Sequence, residues 1–161
     1  MVPHQAHGRH HLAQVNVGKL VAPLDDPRID DFRDNLERIN LLAEAQPGFV
    51  WRAVGTGFDA TDLRPFEDQD LLVNASVWES LEALAAFAYR TDHKEFVRRR
   101  HEWFQPSEQP TQVVWWLPAG ETPALEDCVA RLDHLRAHGP TAHAFDFKTR
   151  FPAPAVAAAV G

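Results

Sequence analysis

Cysteine is nearly absent: Cys128 is the single one in 161 residues. No intramolecular disulfide is available, and a reducing cytoplasm is the expected compartment. No apolar run approaches the roughly 18 residues of a membrane span, and Met1 to His11 carry no apolar signal-peptide core. Basic charge is also short. Lys and Arg total 16 against 23 Asp and Glu, a formal net charge of −7, so nucleic acid is not an expected partner. The one basic run, Arg98-Arg99-Arg100, lies between Glu95 and Glu102 in a helical pattern and reads as a solvated or ion-paired face. Familiar chemical signatures are missing too. Gly55-Thr56-Gly57 is too short for a phosphate-cradling loop, and there is no serine nucleophile elbow and no Cys-x-x-Cys spacing.

What remains is an ordinary globular composition, 45% hydrophobic and 24% charged, in a chain long enough to bury its own core. Residues 1–11, with His4, His7, His10 and His11, read as a tail. Residues 12–151 form one domain and 152–161 a second tail. Leu12 to Leu20 alternates: Ala13, Val15 and Val17 share one face, Gln14, Asn16 and Gly18 the other. Asp26-Pro27 starts a helix whose stripe is Ile29, Phe32, Leu36, Ile39 and Ala43, and Pro47-Gly48 ends it. Strands are expected over 49–54, 70–78 and 111–117. Between the last two lies a helical stretch, 79–104, which breaks near Tyr89–Thr91 because Asp92 and Glu95 look like a capping box. Its second half carries His93, Phe96, Val97, Arg100 and Phe104 along one side. A helix from about Pro123 to Gly139 buries Leu125, Cys128, Val129, Leu132 and Leu135, and 143–151 supplies a last short strand.

The order β-α-β-β-α-β with an appended α-β is the ferredoxin-like split βαβ pattern, an α+β class. A four-stranded sheet with helices on one face leaves the other face bare, so pairing with a second copy as a dimeric α/β barrel is expected.

Several segments resemble a bacterial domain-of-unknown-function family: Leu12-Ala-Gln-Val-Asn16, Ser76-Val-Trp-Glu-Ser80, Tyr89-Arg-Thr-Asp-His93, Arg98-Arg-Arg-His-Glu-Trp-Phe104, Trp115-Trp-Leu-Pro-Ala-Gly120, Leu132-Asp-His-Leu-Arg-Ala-His-Gly-Pro140 and Phe145-Asp-Phe147. The resemblance covers about residues 12–153. It implies membership of the dimeric α/β-barrel superfamily, whose other members include antibiotic-biosynthesis monooxygenases, haem-degrading monooxygenases, and muconolactone-isomerase-like and dehydratase-like proteins. It implies a fold and a homodimer, and it does not imply one reaction.

The superfamily resemblance suggests that His93 faces the cavity. Tyr89, four residues earlier, would share that helix face. An imidazole can move a proton at cellular pH, and a phenol can support a developing oxyanion. Arg100, seven residues past His93, could grip a carboxylate or enolate, or pair with Glu95 or Glu102. Gln14, Asn16, Asn74 and Ser76 would meet on neighbouring strands, where buried amides need a ligand, a network or a partner subunit. Trp51, Trp78 and Trp116 are candidate walls for a planar ligand, and Trp115 and Trp116 must point to opposite faces. Cys128 reads as core. His134 and His138 have ligand spacing, yet no convincing third ligand accompanies them and no metal is expected. The leading expectation is a cofactor-independent, monooxygenase-like enzyme acting on a small aromatic or enolisable metabolite. Alternatives are a haem enzyme with His93 as axial ligand, an isomerase or cyclase, and a non-catalytic binding protein.

Overall fold

A computed structural model describes residues 9–55, 61–68 and 70–155. His4, His7, Gly57 and the end of the expected C-terminal tail lie outside them. The elements are β1 (His10–Lys19), α1 (Asp30–Glu44) after a single 3-10 turn at Pro27–Ile29, β2 (Phe49–Arg52), β3 (Leu71–Trp78), α2 (Leu81–Arg90), α3 (His93–Trp103), β4 (Gln112–Pro118) and α4 (Leu125–His138). The strands form one antiparallel sheet in the order β2-β3-β1-β4, the ferredoxin-like arrangement. Among the described residues no helix is long and apolar enough to cross a membrane.

Local chemistry explains most boundaries. Asp26 accepts from the Arg28 backbone N–H, and Pro27 opens the 3-10 turn ahead of α1. Gly48, at φ +85°, reverses the chain into β2. Ser80 caps α2 by accepting from the Ala83 N–H at 3.0 Å. The break between α2 and α3 falls where expected, but through a different residue. Asp92 makes no side-chain cap; the Thr91 hydroxyl instead accepts from the His93 N–H at 3.2 Å.

Two expectations need correction at the ends of the domain. β1 starts at His10, inside the segment read as tail, because His10 and His11 pair with Pro118 and Leu117. The expected last strand at 143–151 is reduced to isolated bridges at Phe145–Val114 and Thr141–Ala144. Phe145 exchanges both backbone hydrogen bonds with Val114, and the chain then turns away along the helices.

Strand alternation sends the β1 side chains to two different cores. Ala13, Val15 and Val17 join Ala75, Val77, Val113 and Trp115 beneath Cys128, Leu132 and Leu135 of α4, with Phe66 beside them. Leu12, Trp78, Val114 and Trp116 lie on the opposite face under α1, α2 and Phe145. Trp115 and Trp116 therefore point to opposite faces, as alternation requires. The bare second sheet face is not found. The appended α4 covers it, leaving Val15, Val113 and Leu132 with no exposure.

Candidate functional site

Along the helix-covered face, the sheet changes character in three steps. At one end Trp78, Leu12 and Trp116 stand side by side across β3, β1 and β4. Next come Ser76, Gln14 and Val114, and then Asn74, Asn16 and Gln112. Side chains directly opposite on adjacent strands lie within contact reach, so the third step is a row of three amides. Beyond it Gly18 makes room for Phe104: a Cβ at Gly18 would come within 2.4 Å of that ring. Gly18→Ala is expected to displace Phe104 and cost roughly 1–3 kcal/mol through overpacking, measurable by urea unfolding.

The amide row forms the floor of a cavity of about 320 Å³ roofed by α1 and α3. Phe32, Leu36 and Ile39 come from the stripe of α1, and His93, Phe96, Val97, Arg100 and Trp103 from that of α3. The end of α3 is fastened to β1 by Val21 N–H to the Trp103 carbonyl and Gln105 N–H to the Lys19 carbonyl, both at 2.8 Å. These bonds set where Arg100, Trp103 and Phe104 stand. Among the described residues Asn74 has no hydrogen-bond partner for its exposed amide.

Of the candidate residues, His93, Tyr89, Arg100, Asn16 and Asn74 line this cavity; Gln14, Trp51, Trp78 and Trp116 do not. Gln14 is 2% exposed and lies one register step from the row on the same sheet face. It donates to Ser76 Oγ at 2.8 Å and accepts from Asn16 and Gln112 at 3.3 and 3.2 Å, so it supports the row without facing the cavity. Trp78 donates to the same Ser76 hydroxyl at 2.9 Å and stacks on Phe87, with centroids 5.3 Å apart. Trp116 donates to the Phe151 carbonyl, and Trp51 packs on the α4 side. All three tryptophans sit away from the stretch of sheet that opens. Alternation identifies a face but not a position along it.

Tyr89 and His93 meet in the cavity for a reason other than helical spacing. They belong to different helices, and the break at Thr91–Asp92 folds His93 back onto Phe87, ring centroids 4.5 Å apart. His93 Nδ1 lies 3.5 Å from the Ala88 carbonyl. With the proton on Nδ1, Nε2 is a free base. Burial pushes the imidazole below its ordinary pKa, and the Ala88 carbonyl partly offsets this. Tyr89 is 55% exposed at the rim, edge-on to Phe147 at 6.3 Å.

Arg100 does not form the ion pairs considered for it. Glu95 is taken by Arg98 at 2.5 Å and Glu102 by Arg99 at 2.9 Å, with Arg99 also reaching Asp31. Sequence reasoning did not select Trp103, Gln112 or Phe147 as cavity residues. Trp103 and Gln112 carried a signal, since Trp103 continues the His93–Arg100 stripe and Gln112 pairs with Asn16. Phe147 carried none, because it enters from the segment beyond α4.

The Cys128 thiol has no exposure, and burial pushes its pKa up to about 11. The rings of His138 and His143 lie 4.4 and 4.6 Å from that of His134. However, His134 Nε2 is 3.2 Å from the Thr141 hydroxyl, and His143 Nδ1 faces Arg131. Among the described residues no group of three His, Cys, Asp or Glu is placed to hold a metal ion. The cavity volume of about 320 Å³ is at the lower limit for drug-sized ligands.

Three solved structures are similar in fold. A protein of unknown function from Nitrosomonas europaea is 14% identical, with a TM-score of 0.48, over 73% of this chain and 98% of that one. A conserved protein from Methanosarcina mazei Go1 is also 14% identical, with a TM-score of 0.48, over 72% and 97%. SnoaB, a cofactor-independent oxygenase from Streptomyces nogalater, is 16% identical, with a TM-score of 0.45, over 70% and 95%. No curated protein sequence matches significantly. The family model described as "Domain of unknown function (DUF3291)" matches residues 11–160, and the chain belongs to that family.

Proposed function

We propose that the cavity binds a small, enolisable aromatic molecule and that His93 removes a proton from it, starting a monooxygenase-like reaction that needs no cofactor. The observation that carries this reading is the placement of His93. Its ring faces the cavity with Nδ1 directed at the Ala88 carbonyl, and burial favours the neutral, basic form. Nε2 takes a proton from an acidic methylene beside a carbonyl. The Asn16 and Asn74 amides, with the Tyr89 hydroxyl at the rim, donate to the enolate oxygen. The carbanion gives up an electron to dioxygen and recombines as a peroxide. Loss of the second methylene proton and of water leaves a ketone, so one oxygen atom enters the substrate and the other leaves in water. The protein is expected to be a homodimer; sedimentation of the wild type, which would read a monomer's mass if this is wrong, tests it.

The experiment uses 2-tetralone, a benzo-fused ketone with an acidic benzylic methylene, in deuterated buffer. Wild type is expected to speed α-proton exchange without oxygen and to consume oxygen in air. Exchange without oxygen uptake would mark an isomerase or cyclase. Binding with neither would mark a non-catalytic protein.

A further inference from the structure

We infer that the molecule taken up by this site carries an anionic substituent, a carboxylate in the simplest case, which Arg100 holds at the junction between the cavity and a second, outer chamber. The inference rests on the reading of the main cavity as a small-molecule site.

The outer chamber has a volume of about 530 Å³ and lies between the end of α3 and the 105–111 loop. Arg100, Phe104 and Thr111 line both spaces, so the two meet there. Three successive arginines stand in α3, and two are committed: Arg98 to Glu95, and Arg99 to Asp31 and Glu102. The Arg100 side chain has no ion pair or hydrogen bond among the described residues. Its guanidinium carbon is 5.8 Å from the centre of the Phe104 ring.

No described Asp, Glu or Lys lines either chamber. In a chain with a formal charge of −7, this makes a local positive site. Gln105 donates to the Leu20 carbonyl and Ser107 to the Gln109 carbonyl, and Arg100 is the one guanidinium among the described residues that line the chamber. A planar guanidinium matches a carboxylate in two parallel hydrogen bonds. An aromatic body on the amide row would then extend its acidic arm past Arg100 into the outer chamber.

Calorimetric titration with a matched pair, 6-hydroxy-2-naphthoate and 6-hydroxy-2-naphthamide, tests this. Wild type is expected to bind the acid about tenfold or more tightly than the amide. Arg100→Gln should remove that preference and leave the amide's affinity within about twofold. Arg98→Gln, which changes charge equally but faces neither chamber, should keep it. Equal affinities in wild type, or a preference that survives Arg100→Gln, would overturn the anionic arm while leaving the aromatic site in place. Binding of neither compound would overturn the site and this inference with it.

Discussion

Replacing His93 with glutamine is expected to slow α-proton exchange and turnover by about 10²–10⁴-fold, the usual worth of a positioned general base. Ligand affinity should change by no more than a few fold. Glutamine keeps a polar group of similar reach against the Ala88 carbonyl, so the wall near Phe87 stays filled, but it cannot accept a proton at neutral pH. The comparison separates chemistry from binding because the floor amides and the aromatic roof are untouched. Unchanged exchange in His93→Gln, with binding intact, would remove the base from the mechanism.

The acid limb of the pH profile gives a second readout. A base must be neutral to act, and burial lowers the His93 pKa. Exchange is therefore expected to stay level through about pH 6.5, where an ordinary imidazole would already be half protonated, and to fall only at lower pH. The same shift enters stability with a definite sign. The folded pKa is depressed, so the unfolded chain binds the proton first as pH falls. The contribution is complete above about 6.5 and is lost as pH drops through the folded value. In His93→Gln this part of the acid destabilisation should disappear.

The sequence already contained most of the α3 wall. His93, Phe96, Val97, Arg100 and Phe104 recur at helical spacing, and all five line the cavity. Strand alternation likewise placed Gln14 and Asn16 on one face, and the ferredoxin-like order brought Asn74 and Ser76 beside them. Periodicity could not say how far along the strand the helices stop covering that face. Trp78 and Trp116 lie two register steps from Asn74 and Gln112, beneath Phe87 and Phe145, and so are core. Nor could it say which of two polar groups would win a contest for one partner. Arg98, Arg99 and Arg100 compete for Glu95 and Glu102, and the i,i+3 geometry gives both acids to the first two. Thr91 rather than Asp92 caps α3 for a similar reason: its hydroxyl lies two residues from the His93 N–H while Asp92 is already helical at φ −60°.

The covering of the second sheet face by α4 depends on tertiary packing, and it leads to the largest stability effect expected here. Leu132 has no exposure and lies among Cys128, Leu135 and the strand residues Val15, Val113 and Trp115. Leu132→Ala should cost about 2–5 kcal/mol through lost burial and the cavity left behind. Leu132→Asp should cost more than about 4–5 kcal/mol, because it buries a carboxylate among apolar side chains. Domains of this size have only about 5–15 kcal/mol of stability, so the aspartate variant is expected to lose its cooperative urea transition or to release α4 from the sheet. A chain with α4 released exposes the Val15–Val113–Trp115 face and should associate, visible by light scattering, whereas Leu132→Ala stays at the wild-type mass with a lower midpoint. A wild-type midpoint in Leu132→Asp would mean that α4 does not occupy this face, and the sheet would again be open to a second copy of the chain.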